Sequence, residues 1–453
     1  MTDYGISDRG LGYTKELTSY LASLSFDELP EPVVHECRRG LVDWLGCALA
    51  GSRHPTIDVL MNVLAGVNQG TSVSIIGRET KFGVFEGVLA NGQMGHVLDY
   101  DDTHMDGVFL HTSGPVLSGM LALAEMRGLN GRDFCVGYVN GFEAGVRVGQ
   151  ASPRHHDGGW HLTGTLGSIA AGAACSSLIN LNAEQMVYAL GLSATQAGGM
   201  QQNRGTMSKS FHAGKAAQNG LLSALLAEGG FDSSNEIFEG KKGFCRIFSK
   251  DTDEQKLTDG LGKAFFISTN GYKAHACGVV LHPIIDTAIG LKSKSGFSAN
   301  DVERILITGN SKAGIITGVK NPETGLKSKF SINHAVAVAF TDGVAGIAQF
   351  SDQRANDGEL IKLREKVHFN TDDSIRVDQA NGTVVSKNGK SVSFKTLHAT
   401  GTVKNPMSDA SIKNKFLTNA EMAVGEKCAI DILDLAWNID LLDDLRELTK
   451  KLS

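Results

Sequence analysis

Residues 383–394 read TVVSKNGKSVSF. Asn388-Gly389 at the centre is the strongest short hairpin signal, and it predicts two antiparallel strands joined by a type I′ turn. Around this hairpin the chain has a mixed texture. Arg304–Thr308 (RILIT) reads as a strand and Ser331–Gly343 as a helix. Before about residue 265 and after about Asp409 the pattern is helical instead. Val33–Ala50 is a strongly amphipathic run closed by Gly51 in the C′ role. Pro115–Arg127 has proline at N1 and Gly128 at its end. Leu166–Ile179, Ala183–Leu190 and Ala213–Glu228 are further helices, the last stopped by Gly229-Gly230, and the chain ends in the amphipathic run Ala429–Leu452. Ser25 and Glu28 fit a capping box. The expected fold is therefore mainly α. A discontinuous helical domain (1–267 with 406–453) carries an inserted, smaller α+β lid domain (268–405), and a small-molecule site is expected in the cleft between them.

The chain has 453 residues, too many for one ordinary core. A net charge of −6, without a Lys/Arg run, excludes an obvious nucleic-acid or membrane surface. An anionic substrate would thus need local cationic contacts. The 54 glycines have no collagen-like period and sit with alanine in helical stretches, which predicts closely packed helices. No apolar stretch reaches the ~18 residues of a membrane span, and the polar start MTDYGISDRG lacks the features of a secretory signal. The seven cysteines are scattered with no CxxC pair, which argues for a reducing compartment and against structural zinc. A cytoplasmic protein is expected.

The chemistry-bearing residues are concentrated. The stretch 91–111, NGQMGHVLDYDDTHMDGVFLH, holds His96, His104, His111, Asp99, Asp101, Asp102 and Asp106. Such a set suits a divalent metal by ligand type, an acid–base site, or an exposed loop. Asp101, Asp102 and Asp106 also resemble the diphosphate-binding aspartates of prenyl-chemistry enzymes, but no second acidic motif follows. Elsewhere, nitrogen side chains stand at expected helix starts. His111 precedes the Pro115 helix and His161 the Leu166 helix; Lys209 and His212 lead into the Ala213 helix, and His282 precedes Pro283. Helix N-termini favour negative charge, so converging starts would make a pocket for a carboxylated substrate. Arg204, Lys215 and Lys273 would add charge-assisted contacts.

The ordered set NGQMGHVLDYDDTH, GGWHLTGTLG, ALGLSATQAGG, GTMSKSFHAGKAAQNGLLSALLAEGGF, KKGFCRIF, KAHACGVVLHPIID, KFSINHAVAVAFTDG and GTVKNPMSD resembles the MmgE/PrpD family along nearly the whole chain. The resemblance implies a helical domain with an α+β lid, a homodimer, no metal and no organic cofactor. It also implies chemistry beside a carboxylate-bearing carbon: 2-methylcitrate dehydratase, cis-aconitate decarboxylase or iminodisuccinate epimerase. Carried over by motif, the site would use Asp99, Thr103, His111, His161, Lys209 and His282. His111 and His161 would transfer protons, Lys209 would neutralise a substrate carboxylate, Asp99 would orient a histidine, and Thr103 would donate a hydrogen bond. His275 and Cys277 would complete the lid-side wall beside His282, while Arg204, His212 and Lys273 would assist binding. Two departures stand out: a longer spacing from Thr103 to His111 than in the animal decarboxylases, and His334 where relatives often have tyrosine. The expected function is a lyase on a small polycarboxylate. A dicarboxylate epimerase, a metal-dependent hydrolase and a catalytically silent carboxylate binder remain as alternatives.

Overall fold

The computed structural model describes residues 12–453. The fold is mainly α, as expected, with the sheet-bearing region toward the C-terminal end. The principal helices of the first part are Glu31–Gly51, Val84–Val97, Ser113–Arg127, Gly131–Ala151, Leu162–Leu178, Ala183–Thr195 and Met207–Glu228. Glycine lets them approach. Where Val84–Val97 crosses Met207–Glu228, a Cβ on Gly92 would meet the Gly214 Cα at 2.7 Å, and one on Gly214 would meet the Leu89 carbonyl oxygen at 2.1 Å. No side chain fits between these backbones.

The later region is built on a four-stranded sheet in the order Val367–Thr371, Val302–Gly309, Ala380–Ser386, Ser391–Thr396. The first pair is parallel and the others antiparallel. Helices His282–Ser295 and Ile332–Asp342 supply Ile284, Ile285, Ala288, Leu291, Val336 and Phe340 to its core. Ile412, Phe416, Ala420, Ile432 and Leu448, from the C-terminal segment, belong instead to the same core as the N-terminal helices. Tyr100 packs against both cores. No helix among the described residues is long and apolar enough to cross a membrane.

Several local expectations are revised. The hairpin forms, but its turn is not type I′. That type needs positive φ at both central residues, and Asn388 is not among the positive-φ residues, whereas Gly389 has φ 81. The Gly389 N–H bonds Ser386 O at 2.9 Å and the Ser386 N–H bonds Lys390 O at 2.9 Å. This is a turn closed by one left-handed glycine, the arrangement of a three-residue loop with a bulge. The helices expected from Leu166 and Ala213 begin earlier, at Leu162 and Met207. Lys209 and His212 therefore lie within the first turns of their helix. Gly51 is the last residue of its helix rather than its C′ position. The run expected as one helix over Ala429–Leu452 is broken: Glu426–Trp437 ends at Asn438, and only short helical pieces follow. The Ser25–Glu28 capping box is present on a short 3₁₀ turn.

One buried cation ties these parts together. Lys415, on the Asp409–Val424 helix, donates to Asp43 Oδ1 at 2.7 Å, to Tyr100 O at 2.7 Å and to Lys273 O at 3.0 Å. All three protons of its ammonium are placed. Removing one partner of a buried ion pair leaves the other charge uncompensated, which costs about 3–5 kcal/mol. Lys415→Met is therefore expected to lower unfolding stability by about 3–5 kcal/mol, read from urea denaturation midpoints. A change below about 1 kcal/mol would show that this contact is not a tie between the segments.

Candidate active site

The Val84–Val97 helix ends at Leu98, and Asp99 follows with φ 50, one of two non-glycine residues with positive φ among those described. Aspartate tolerates this left-handed conformation better than bulky residues do. The turn sends the Asp99 carboxylate into the interior. Its Oδ1 accepts from Lys273 Nζ in a short contact and lies 3.2 Å from Lys209 Nζ. Lys273 also donates to the Asp99 carbonyl at 3.1 Å. A third ammonium, that of Lys329, is buried nearby and donates to Ala276 O at 2.7 Å. Burial acts to raise the Asp99 carboxyl, but the ammonium groups of Lys209 and Lys273 win and hold it well below the usual range. Burial in turn pulls Lys209 down and lowers Lys329 to about 8, with Asp99 acting in the opposite direction on both.

The next two aspartates have different duties. Asp101 Oδ2 lies 2.8 Å from His96 Nδ1 and 3.5 Å from His111 Nδ1. Asp102 turns away: its Oδ2 accepts from Ser113 Oγ and Asn270 Nδ2, both at 2.6 Å. Burial and the nearby Asp43 push its carboxyl up to about 8. Thr103 and His104 pair antiparallel with Asn270 and Gly271, which joins this loop to the segment that carries Lys273. His104 is structural, bonding Val108 O at 3.0 Å and Thr269 Oγ1 at 2.9 Å.

His111 Nδ1 lies 2.9 Å from Asp102 O and 3.1 Å from Thr103 Oγ1. A carbonyl oxygen only accepts, so this nitrogen carries the proton and Nε2 is left as an acceptor. His161 stands at the N-cap of Leu162–Leu178, and its Nδ1 meets His212 Nδ1 at 2.9 Å. The His96 ring stacks on His161 at 5.8 Å and meets His111 edge-on at 4.7 Å. Burial, together with the nearby lysines and neighbouring histidines, holds His111 and His161 well below the usual imidazole range.

Asp99, Thr103, His111, His161, Arg204 and Lys209 line one cavity of about 400 Å³. Lys273 and His282 line an adjoining cavity of about 560 Å³. Thr103, Phe109, Val279 and Lys312 border both. The starts of three helices thus meet at the first cavity, and that of His282 faces the second. Arg204 sits at the edge, bonded to Gln201 Oε1 at 2.6 Å and 3.3 Å from His156 Nε2. His275 bonds Asp286 Oδ1 at 2.8 Å and meets the His282 ring edge-on at 5.0 Å. Cys277 is buried, and burial raises its thiol. Lys215 is directed elsewhere, to Gln218 Oε1 at 2.6 Å. His334 and His212 line neither cavity; His334 Nε2 lies 2.9 Å from Gln349 O. Sequence reasoning passed over Lys329, Lys312 and His156. Lys329 opens the very KFSINHAVA motif in which His334 drew attention, and its burial is a product of the tertiary fold.

His96, Asp101 and His111 offer ligand atoms within 4.8 Å of one another. As a metal site they fit poorly. Lys209 and Lys273 place positive charge beside them, and that charge opposes a cation. The same surplus of positive charge suits an anion.

The chain resembles curated proteins over most of its length. It is 26% identical to a cis-aconitate decarboxylase of Aspergillus terreus, covering 98% of this chain and 96% of that protein. It is 22% identical to the cis-aconitate decarboxylase of Mus musculus, covering 97% and 93%. A cis-aconitate decarboxylase-like protein of Aspergillus oryzae is 30% identical over 58% of each chain. The MmgE/PrpD N-terminal domain matches residues 15–256 and the C-terminal domain residues 275–439, and the chain belongs to the MmgE/PrpD family.

Proposed function

We propose that the protein is a lyase that decarboxylates cis-aconitate or a close tricarboxylate relative, with histidines moving the proton. The observation that carries this reading is the surplus of buried positive charge. Lys209 and Lys273 hold the carboxylate of Asp99, with Lys329 buried nearby, beside a cavity that also presents His111 and His161. A polycarboxylate loses hydration on entering such a cleft, which costs several kcal/mol per ion unless paired charges replace the water. Helix N-termini contribute about 0.3–2 kcal/mol each, so fixed cations are required, and these lysines are in place before substrate arrives.

In cis-aconitate, loss of CO₂ from the CH₂–COO⁻ arm shifts the C–C electron pair toward the adjoining C=C. Negative charge develops on the carbon that bears another carboxylate, and one proton must be delivered there. Ammonium groups held beside the carboxylates stabilise that charge as it forms. His161, stacked against His96 at the cavity wall, is the proton donor in this reading. His111 holds an acceptor nitrogen toward the same space and would serve a dehydratase or epimerase as base. The related reactions are separated by a screen over cis-aconitate, citrate, 2-methylcitrate and iminodisuccinate. CO₂ release from cis-aconitate alone is the expected result, and turnover only of citrates or iminodisuccinate would replace this reading.

Two further outcomes are expected. Lys209→Ala should lower kcat/KM at least about ten-fold, or about 1.4 kcal/mol in transition-state terms. Its melting temperature should hold or rise, because Asp99 keeps Lys273 and the repulsion among the lysines is relieved. Kinetics within about two-fold of wild type would remove Lys209 from the site. The second outcome concerns pH. Lys329 titrates at about 8, so its charge is present below that pH and lost above it. Since kcat/KM reports the free enzyme, it should fall as pH rises through about 8. Lys329→Met should lower the plateau and move that fall to higher pH. An unchanged alkaline limb in the variant would contradict this assignment.

A further inference from the structure

His161 poses a chemical problem. The groups around it, Lys209, His96, His212 and His111, add to burial in keeping its ring neutral. His212 is held to about 4 by burial, His96 and Lys209. A neutral imidazole that gives up its only N–H becomes an imidazolate, a far stronger base than any group around it. A neutral donor works only if its other nitrogen receives a proton in the same event.

The geometry supplies that second nitrogen. His161 Nδ1 and His212 Nδ1 are 2.9 Å apart, with ring centroids at 5.1 Å. Two nitrogens at this distance share one proton as N–H···N, so the two rings are in complementary tautomers. Neither Nε2 has a hydrogen-bond partner among the described residues, and neither is enclosed without solvent. His161 lines the cavity, whereas His212 lies behind it, half-buried, on the Met207–Glu228 helix. Its place is fixed by close packing: a Cβ on Gly199 would come within 3.3 Å of His212 Cγ and Nδ1, and Gly199 O accepts the His161 N–H at 3.1 Å.

We propose that His212 is the relay through which His161 is reprotonated from solvent, so that a neutral histidine pair delivers a proton to the reacting carbon. In the donor state His212 carries its proton on Nδ1 and His161 carries its own on Nε2. The His161 Nε2–H passes to the carbanion, the His212 Nδ1–H passes to His161 Nδ1, and His212 Nε2 takes one proton from water. One proton enters, one leaves, and both rings end neutral in the opposite tautomers. The pair resets in the emptied cavity: water protonates His161 Nε2, the shared proton returns to His212 Nδ1, and His212 Nε2 releases one to solvent. His212 does not touch substrate and acts as a positioning residue, with the proton path running through it.

This inference rests on the proposed proton delivery, and two measurements separate its failure from failure of that reading. The first uses the substrate-free wild-type protein with ¹⁵N-labelled histidine. The expected spectrum shows one protonated and one unprotonated Nδ1 sharing a single proton, and its absence overturns the relay whatever the substrate is. The second uses His212→Phe, which keeps a ring against Gly199 but has no nitrogen. On the substrate that wild type turns over, kcat should fall at least about ten-fold, within the range for acid–base groups, with KM within about three-fold. Added imidazole should restore kcat in the variant in proportion to its concentration and leave wild type unchanged. A kcat within about two-fold of wild type, or a loss that imidazole does not recover, overturns the relay. Wild type that turns over no tricarboxylate overturns the proposed function instead, and the shared-proton spectrum still decides the pair.

Discussion

The site depends on a single carboxylate being outnumbered. Asp99 is held in a left-handed turn between Lys273 and Lys209, with Lys329 buried close by. Burying ammonium groups is costly unless they are paired, and here Asp99, with Asp101 close by, only partly compensates three cations. Burial first, and then repulsion among the lysines and histidines, pulls Lys209, Lys329 and the histidines down. A small polyanion bound there would add to the compensation that Asp99 and Asp101 already supply. Burial and this positive charge together keep the imidazoles neutral, and the charge makes a divalent cation a poor fit for His96, Asp101 and His111.

The fold maintains this arrangement through contacts between distant segments. Lys273 reaches Asp99 because Thr103–His104 pairs with Asn270–Gly271. Lys415, from the C-terminal helix, holds the carbonyls of both Tyr100 and Lys273 and is itself neutralised by Asp43. The aspartate-rich stretch therefore divides by partner. Asp99 faces lysines, Asp101 orients His96 and lies 3.5 Å from His111 Nδ1, and Asp102 is a buried carboxyl bonded to Ser113 and Asn270. Residues adjacent in sequence have carboxyl groups on opposite sides of their usual acidity, because their surroundings and not their type set it.

Local signals in the chain were legible where a local rule governs. The sheet region followed from the Asn388-Gly389 hairpin, and Ser25 with Glu28 made the expected cap. Gly128 closes its helix in the left-handed conformation, as its position implies. Errors arose where local rules compete. Asn388-Gly389 serves a bulged three-residue loop as well as a type I′ turn, and Asn438 ends a helix that its apolar pattern would have continued. The convergence of His111, His161 and Lys209 was suggested by their places near helix starts, although two of those helices begin earlier than their apolar pattern indicates. Lys329 and the His161–His212 pair were not legible. Burial of a lone lysine and a contact across 51 positions exist only once the helices are packed.

The most direct test of the account is the dependence of binding on substrate charge. Titration calorimetry at neutral pH would compare cis-aconitate with dicarboxylate and monocarboxylate analogues of the same carbon skeleton. If buried positive surplus is what the site is built on, each carboxylate removed should weaken binding at least about ten-fold, the equivalent of about 1.4 kcal/mol. Equal affinities across the series would contradict it, because the lysines around Asp99 would then be compensated within the protein and would have no part in recognition.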